Sequence, residues 1–299
     1  MNVLLESLYS KQGLIAYTKR YGLRLTKALG QHFLIQREWM AAVLNRSEIP
    51  REGCVIEIGP GVGHLTWLLL ERGLNVVAIE KDRRFAGMIQ ELAALEPTYK
   101  DRLRIIEGDA LKTDFKALQE ETGARCVIGN LPYNAATPIL FHLAYSQAPL
   151  ECICTMVQKE VGERIMSKSG CKAYGRLSVV LQYLFDITAS EVIPPYAFFP
   201  APKVDSLVLK FAPKTDVDAE FAQQFLEKVV HVGFLHRRKK LRTSLKGATV
   251  QKQIFSLDFL REAEAQFNFD DRAEQWPVEQ WVAFAEYVRS QPVSNPTGV

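Results

Sequence analysis

The chain of 299 residues is 47% hydrophobic and 24% charged, and its formal net charge is +3. These values are typical of a globular protein that folds without disulfides or metals, and the length allows one large domain plus a smaller one. The charge is too small to indicate a nucleic-acid partner by itself, and the longest apolar runs, such as Leu68 to Leu70, are far shorter than the roughly 18 residues of a membrane helix.

Cysteine usage and the N-terminus predict a protein of the reducing cytoplasm. The five cysteines lack paired Cys-x-x-Cys spacing, and most fall in apolar runs where a thiol acts as a small hydrophobe. The N-terminus has no charged-then-apolar signal pattern, so secretion is not expected. No cluster of side chains has metal-ligand spacing, and we expect no metal site.

Short β-branched runs alternate with helix-length segments from about residue 53 to 160, which is typical of a parallel sheet with helical crossovers. The predicted strands are residues 54–58, 75–79, 103–106, 125–128 and 151–157, followed by 184–192 and 204–211. Most read as continuous apolar runs, as buried parallel strands do. The last two predicted strands are separated by prolines at positions 194, 195, 200 and 202, which rule out a helix between them. The sequence therefore predicts an α/β fold with a seven-stranded sheet.

Helical spacing replaces this alternation from about residue 217. The apolar positions are Phe221, Phe225 and Val229, and later Trp276, Trp281, Phe284 and Val288, with Gly247 as an expected helix boundary. We therefore predict a catalytic domain over residues 1–214, with an N-terminal helical extension, and a small helical domain over residues 215–299. Only residues 291–299 have the composition of a disordered tail.

The first predicted strand ends in a glycine-rich turn, Gly59-Pro-Gly61-Val-Gly63, before an apolar helix. Glycine lets the backbone approach a ligand at the carboxyl end of a strand, where open α/β sheets bind ligands. Dinucleotide-binding proteins use G-x-G-x-x-G, whereas this turn is G-x-G-x-G with His64 at their third glycine position. This spacing disfavours a nicotinamide cofactor.

Two acidic residues follow the next two strands. Glu80 stands about 20 residues after the turn, where a carboxylate accepts hydrogen bonds from both ribose hydroxyls, although it could also be a solvated charge. Asp109 follows the third strand, where it is placed to accept from an adenine amino group, although aspartate is common in turns. The turn, Glu80 and Asp109 on successive strands form the S-adenosylmethionine signature of class I, Rossmann-like methyltransferases.

The fourth strand leads into Asn130-Leu131-Pro132-Tyr133, the most specific signal in the chain. The exocyclic amine of adenine is a poor nucleophile, because its lone pair is delocalised into the ring. The Asn130 side-chain oxygen and the Leu131 carbonyl can accept the two amine hydrogens and so direct the lone pair at a methyl group. Pro132 stiffens the loop, and Tyr133 offers a face for stacking on a flipped or unpaired base. The alternative is an ordinary Asn-x-Pro turn with a surface tyrosine.

A second aromatic pair, Phe198 and Phe199, lies in a proline-rich segment over residues 197–206. The prolines fix a loop that can present Phe199 across the base from Tyr133. The alternative is that one or both phenylalanines are core residues.

With these segments together, the chain closely resembles the small-subunit ribosomal RNA adenine N6,N6-dimethyltransferases. The resemblance is carried by residues 27–34 (Lys-Ala-Leu-Gly-Gln-His-Phe-Leu), 130–134, 137–141, 199–206, 233–234 and 237–245. It runs from about residue 25 to 247. It implies a seven-stranded mixed sheet of the class I methyltransferase type with a small C-terminal helical domain.

The resemblance also implies the cofactor, the site and the substrate. The expected S-adenosylmethionine contacts are His32, Leu34, Gly59, Gly61, Glu80, Asp109 and Asn130, and the expected catalytic residues are Asn130, Leu131, Pro132, Tyr133 and Phe199. The expected substrate is a pair of adjacent adenosines in the hairpin loop near the 3′ end of small-subunit rRNA, each methylated twice. Two departures affect the pocket: Ala135-Ala136 replaces the usual Ile-Ser, and His32 replaces the asparagine of many members.

Five positively charged side chains stand close together in residues 236–242. They are Arg237, Arg238, Lys239, Lys240 and Arg242, and within this family they are expected to contact RNA phosphates. From charge alone, a solvated basic helix face is an equal alternative.

Two other functions compete with this prediction. One is dimethylation of large-subunit rRNA by the related antibiotic-resistance family, and the other is a non-enzymatic RNA- or DNA-binding assembly factor that keeps the fold. The intact Glu80, Asp109 and Asn130 argue against lost catalysis. A monomer bound to the immature small ribosomal subunit is the expected state.

Overall fold

The computed structural model describes residues 3–23, 32–250 and 255–291. The chain forms two compact units, Met1–Gly162 with Asp186–Pro213 and Glu163–Phe185 with Lys214–Val299. The sequence-based division places residues 163–185 in the catalytic domain. In the structure, Tyr174 and Val179 of this stretch are buried in the core of the second unit, which explains the grouping.

Nine strands are present in the described residues. They are β1 (Phe33–Leu34), β2 (Cys54–Ile58), β3 (Asn75–Glu80), β4 (Leu103–Glu107), β5 (Cys126–Asn130), β6 (Cys152–Gln158), β7 (Phe185–Ile193), β8 (Phe198–Phe199) and β9 (Ser206–Pro213). Seven form one sheet in the order β4-β3-β2-β5-β6-β9-β7, while β1 and β8 form a separate two-stranded sheet. The seven predicted strands are confirmed with small shifts of their bounds.

The large sheet is mixed, as predicted. Strands β2 to β6 pair in parallel, and β9 runs antiparallel to β6. Their registers pair Ile58 with Ile79 and Glu80 with Glu107, so β2, β3 and β4 end at one level. The loops that follow these strands and β5 therefore meet at one edge of the sheet, where the expected site residues lie.

The helices of the first unit flank these strands. They are Val3–Leu8, Lys11–Arg20, Arg37–Arg46, His64–Glu71, Arg83–Ala94, Pro97–Lys100, Phe115–Thr122 and Ala136–Tyr145. Helix Lys159–Met166 contains the point in the sequence, after Gly162, at which the first unit gives way to the second. Several begin at a side-chain cap: Ser10 accepts from Gly13 N, and Asp82 accepts from Arg84 N. These caps satisfy amide groups that a helix leaves unpaired at its start.

The second unit is helical, as expected for the end of the chain. Its helices are Arg176–Leu184, Ala219–Phe221, Glu227–Phe234, Leu241–Val250, Leu257–Ala263 and Val278–Ser290, with a π-helical segment Ala222–Leu226. Trp276, Trp281 and Phe284 are fully buried in its core. The expectation that Gly247 ends a helix is wrong, because it lies inside Leu241–Val250. Packing of Leu241 and Leu245 in the core stabilises this helix despite the glycine.

None of the helices in the described parts of the chain is long and apolar enough to cross a membrane.

Candidate active site

A cleft with about 860 Å³ of empty space lies at the carboxyl ends of β2, β3 and β5, beside the residues that follow β4. Most of the residues predicted from the sequence line it: His32, Gly59, Gly61, Glu80, Asp109, Asn130, Leu131, Pro132 and Tyr133. The fold therefore brings most of the expected cofactor residues and the expected catalytic loop to one place.

A smaller cavity, with about 360 Å³ of empty space, adjoins the cleft. Leu34 lines this cavity and not the cleft, and Phe33, Gly59 and Asn130 belong to the walls of both. The expected cofactor residues are thus divided between two adjoining spaces. Residues 27–31 of the N-terminal motif lie outside the described residues.

The glycine turn after β2 has a geometry that only glycine tolerates well. Gly59 and Gly61 have φ angles of +68° and +57°, in the left-handed region. A Cβ atom at Gly61 would lie 2.6 Å from the Phe33 ring. The turn is also held from the neighbouring strand, because Gly61 N donates to Glu80 Oε2 at 2.9 Å.

Glu80 ends β3 and is 8% exposed. Its Oε1 accepts from Asp82 N at 2.9 Å. Burial raises the pKa of Glu80, and the hydrogen bonds from Asp82 and Gly61 oppose that rise because they favour the charged form. Each carboxylate oxygen keeps lone pairs for a further donor, so the group fits the ribose-binding role.

Asp109 follows β4 and is half-buried beside Lys81. Lys81 Nζ lies 2.7 Å from Asp109 Oδ2, and Leu111 N donates to Oδ1 at 3.0 Å. The hydrogen bond from Lys81, followed by that from Leu111, lowers the pKa of Asp109. Sequence reasoning missed Lys81, whose position directly after Glu80 was its only signal.

Asn130 is the last residue of β5. Its amide nitrogen Nδ2 donates to the His32 carbonyl at 2.8 Å. Among the described residues, neither Asn130 Oδ1 nor the Leu131 carbonyl accepts a hydrogen bond. Pairing of the amide nitrogen therefore leaves the carbonyl oxygen as the available acceptor, as the expected mechanism requires.

Tyr133 is half-buried, and both its hydroxyl and its ring contact other side chains. Its hydroxyl lies 2.7 Å from Ser206 Oγ at the start of β9, and the His32 ring stacks on it with centroids 5.2 Å apart. Burial raises the pKa of Tyr133. The tyrosine is thus a fixed aromatic face, not a mobile surface group. Sequence reasoning missed the contacts of Ser206 and His32, because both join segments distant along the chain.

Phe199 lies outside the cleft lining, in β8, where it pairs with Phe33 of β1. The ammonium group of Lys11 lies 5.1 Å from the centre of its ring. Phe198 is 3% exposed and belongs to the core. The expectation that Phe199 stacks on a base remains a prediction.

The basic segment of residues 236–242 is exposed for the most part, and its cations differ in their partners. Arg237 donates to the carbonyls of Lys172 and Tyr174, both at 2.6 Å, and lies 3.5 Å from Glu274. Lys240 lies 3.4 Å from Asp270, and Arg242 pairs with Asp270 and Glu264. Within the described ranges, the side chains of Arg238 and Lys239 have no ion-pair or hydrogen-bond partner.

Comparison with known proteins decides the family. The family model for ribosomal RNA adenine dimethylases matches residues 22–290. The chain belongs to the ribosomal RNA adenine dimethylase family. Its membership makes it an rRNA adenine dimethyltransferase with a class I methyltransferase fold, and it implies S-adenosylmethionine as the methyl donor.

Relatives in this family cover nearly the whole chain. The chain is 40% identical to a protein named ribosomal RNA small subunit methyltransferase A from Rhodospirillum rubrum, over 90% of this chain and 89% of the relative. It is 37% identical to a protein of the same name from Thermosynechococcus vestitus, over 89% of this chain and 98% of the relative.

Solved structures share the fold of this dimethylase at lower identity. A dimethyladenosine transferase from Plasmodium falciparum has a TM-score of 0.67 at 23% identity, covering 84% of this chain and 97% of its own. The 23S rRNA methyltransferase ErmE has a TM-score of 0.57 at 22% identity, covering 86% and 99% respectively.

Proposed function

We propose that this dimethylase transfers two methyl groups from S-adenosylmethionine to N6 of each of two adjacent adenosines in the 3′-terminal hairpin loop of small-subunit rRNA, during ribosome biogenesis. The observation that carries the proposal is the Asn130–Tyr133 loop, which presents a free amide oxygen and a fixed aromatic ring beside a cleft with the class I cofactor residues. The names of the relatives favour the small subunit as the substrate.

The residues present fit the cofactor. A buried carboxylate at Glu80, a left-handed glycine turn and two adjoining cavities are suited to a nucleoside that carries a short charged tail. Glu80 would accept from the ribose hydroxyls and Asp109 from the adenine amino group, while Leu34 and Gly59 would border the tail. When bound, S-adenosylmethionine supplies the electrophilic methyl group.

The catalytic loop would act by positioning and by hydrogen bonding. Asn130 Oδ1 and the Leu131 carbonyl accept the two hydrogens of the adenine amine, which holds the nitrogen closer to tetrahedral and directs its lone pair towards the methyl carbon. Tyr133 stacks on the flipped base and fixes its plane. After transfer, the positively charged amine releases a proton to water, because it is acidic enough to need no strong base.

RNA contact by the second unit forms part of the same proposal. The five cations of residues 236–242 lie in a segment that the resemblance assigns to RNA. Since Arg238 and Lys239 pair with no side chain in the part of the chain that the structure describes, they are placed to meet phosphate oxygens. Such contacts strengthen binding without reading sequence, so they would hold the ribosomal subunit while the catalytic loop selects the base.

The test is methyl transfer from labelled S-adenosylmethionine to purified unmethylated small ribosomal subunits, with large-subunit rRNA as a parallel substrate and with the modified bases mapped. Dimethyladenosine at two adjacent positions in the 3′-terminal hairpin is the expected result. Label confined to large-subunit rRNA would instead assign the resistance-type reaction. Cofactor binding without label on either RNA would favour a binding factor.

A further inference from the structure

His32 contacts the two segments that bear the expected base-binding aromatic residues. Its Nδ1 lies 2.7 Å from the Pro200 carbonyl oxygen. Its ring stacks on Tyr133 with centroids 5.2 Å apart and planes inclined by 29°, and its own carbonyl accepts from Asn130 Nδ2 at 2.8 Å. One residue thus contacts the catalytic loop twice and the proline-rich segment once.

The imidazole has a defined role in each contact. A carbonyl oxygen only accepts, so Nδ1 carries the proton and donates to Pro200. The ring covers one face of Tyr133, so in the proposed reaction the base stacks on the opposite face. Any residue would offer a backbone carbonyl to Asn130, but the two side-chain contacts of His32 fix where that carbonyl lies.

We infer that His32 is a positioning residue that couples the Asn130–Tyr133 loop to the segment after β8, so that Tyr133 and Asn130 Oδ1 face the target base together. The inference rests on the proposed function, because it assigns the imidazole to the methyl-transfer step. It goes beyond the expected cofactor contact of His32, because the contacts seen are to the two protein segments. A displacement of about 1 Å at reacting groups can lower turnover about 100-fold, so this coupling has a measurable effect.

Three substitutions separate the two side-chain contacts. His32→Asn keeps an N–H donor near the position of Nδ1 but removes the ring. His32→Phe keeps a ring for stacking but removes the donor, and His32→Ala removes both. We expect kcat for RNA methylation to fall about 10- to 100-fold in His32→Ala and less in the other two variants, with the cofactor Kd changed by less than about threefold.

His142 provides a matched control outside the catalytic segments. Its Nε2 lies 2.8 Å from the Thr113 carbonyl, and its ring lies 5.5 Å from that of Phe115. Like His32, it is half-buried and combines a hydrogen bond to a carbonyl with a contact to an aromatic ring, although the two rings are tilted by 57°. The corresponding asparagine, phenylalanine and alanine variants of His142 are expected to keep the wild-type kcat even where they lower the melting temperature.

The assay is run on the full chain with unmethylated small subunits and with cofactor binding measured separately. A wild-type kcat in His32→Ala, with any loss of activity confined to a higher KM for the cofactor, would overturn the inference. His32 would then be a cofactor contact. A wild-type protein that transfers no methyl group would refute the proposed function. In that case NMR still tests the coupling through the contact between Tyr133 and Ser206. Loss of the nuclear Overhauser effects between these two side chains in His32→Ala, but not in His142→Ala, supports the coupling, and unchanged effects refute it.

Discussion

At the scale of single residues, the polar groups of the cleft are held largely by backbone atoms. Glu80 accepts from the amides of Gly61 and Asp82, and Asn130 donates to the carbonyl of His32. Backbone positions are set by strands and tight turns, so these side chains are placed before any ligand arrives. Groups that need no reorganisation during a reaction stabilise its transition state most effectively.

Replacement of Asn130 tests whether its oxygen is an acceptor for the target amine. Asn130→Ala removes that acceptor at the end of a strand without touching the core, so the fold should persist while kcat falls about 100- to 1,000-fold. Asn130→Asp is the matched control, since it keeps an acceptor oxygen but loses the donor to His32, and it should retain more activity than Asn130→Ala. Methyl transfer and RNA binding are measured together, and undiminished turnover in Asn130→Ala would refute the mechanism.

Glu57 is predicted to make stability depend on pH. It is 1% exposed, accepts from the Thr66 hydroxyl at 2.6 Å, and burial raises its pKa from 4.5 to about 8. The folded protein keeps a proton that the unfolded chain releases, so the free energy of unfolding falls as the pH rises from about 4.5 to about 8. The linked loss is on the order of 3 kcal/mol between pH 4.5 and 7.

Glu57→Gln removes this titration and still offers Thr66 an acceptor. Urea unfolding at pH 5, 7 and 8.5 should therefore show a flatter pH profile for the variant, which becomes more stable than the wild type at the higher pH values. Glu52→Gln, at an exposed position, serves as the control. Parallel profiles for wild type and Glu57→Gln would show that Glu57 is ionised in the fold.

At the scale of elements, the long strands were predictable and the short ones were not. Most parallel strands of the large sheet are buried on both faces and so read as unbroken apolar runs, whereas the edge strand β4 is only partly buried. β1 and β8 have two residues each, and their pairing joins segments about 165 positions apart, so no local pattern indicates them. That pairing places His32 beside Pro200, to which its ring is hydrogen-bonded.

The candidate site was also predictable only in part. The topology places the carboxyl ends of the parallel strands at one edge of the sheet. Sequence order is therefore enough to predict that the glycine turn, Glu80, Asp109 and Asn130 lie together there. The partners that hold them depend on side-chain direction across tertiary contacts. Lys81 beside Asp109 and Ser206 beside Tyr133 are examples, and no spacing rule predicts either contact.

Two glycines in the second unit give opposite predictions for the same substitution. A Cβ at Gly233 would lie 2.2 Å from Trp281 Cη2 and 3.2 Å from Leu241 Cδ2, whereas a Cβ at Gly247 would meet no atom of the described residues within 4 Å. Gly233→Ala should therefore destabilise the protein by about 1–3 kcal/mol through overpacking. Gly247→Ala should stabilise it by about 0.5–1 kcal/mol, since alanine favours a helix interior.

Thermal unfolding followed by tryptophan fluorescence distinguishes the two variants, because Trp276 and Trp281 are buried in this helical core. Shifts of the same sign for both substitutions would contradict the packing argument. The comparison also tests the position of Gly247 inside a helix, where the sequence pattern alone indicates a boundary.

At the scale of the whole molecule, the two units have separate roles in the proposed reaction. The cleft and catalytic loop belong to the first unit, and the basic segment belongs to the second. Each unit has its own hydrophobic core. Changes in the basic segment should therefore alter RNA binding without altering the chemistry of the cleft.

The partners of the basic residues predict which of them bind phosphate. Arg242 pairs with Glu264 and Asp270, so part of its charge is already compensated within the second unit. Arg238 and Lys239 are exposed, and in the described chain their side chains have no such partner. Phosphate binding by these two costs no existing ion pair, so they should contribute most of the salt-dependent affinity.

The measurement is the slope of log K against log salt concentration for an unmethylated 3′-terminal hairpin of small-subunit rRNA. Replacing both Arg238 and Lys239 with alanine should reduce the magnitude of that slope by roughly 1.5, since each lost phosphate contact removes about 0.7–0.9. Arg242→Ala should leave the slope closer to that of the wild type and lower the melting temperature, because it breaks two ion pairs. A larger change of slope in Arg242→Ala than in the double variant would contradict this prediction. It would mean that Arg242 leaves Glu264 and Asp270 to bind RNA, and that Arg238 and Lys239 contribute to solubility only.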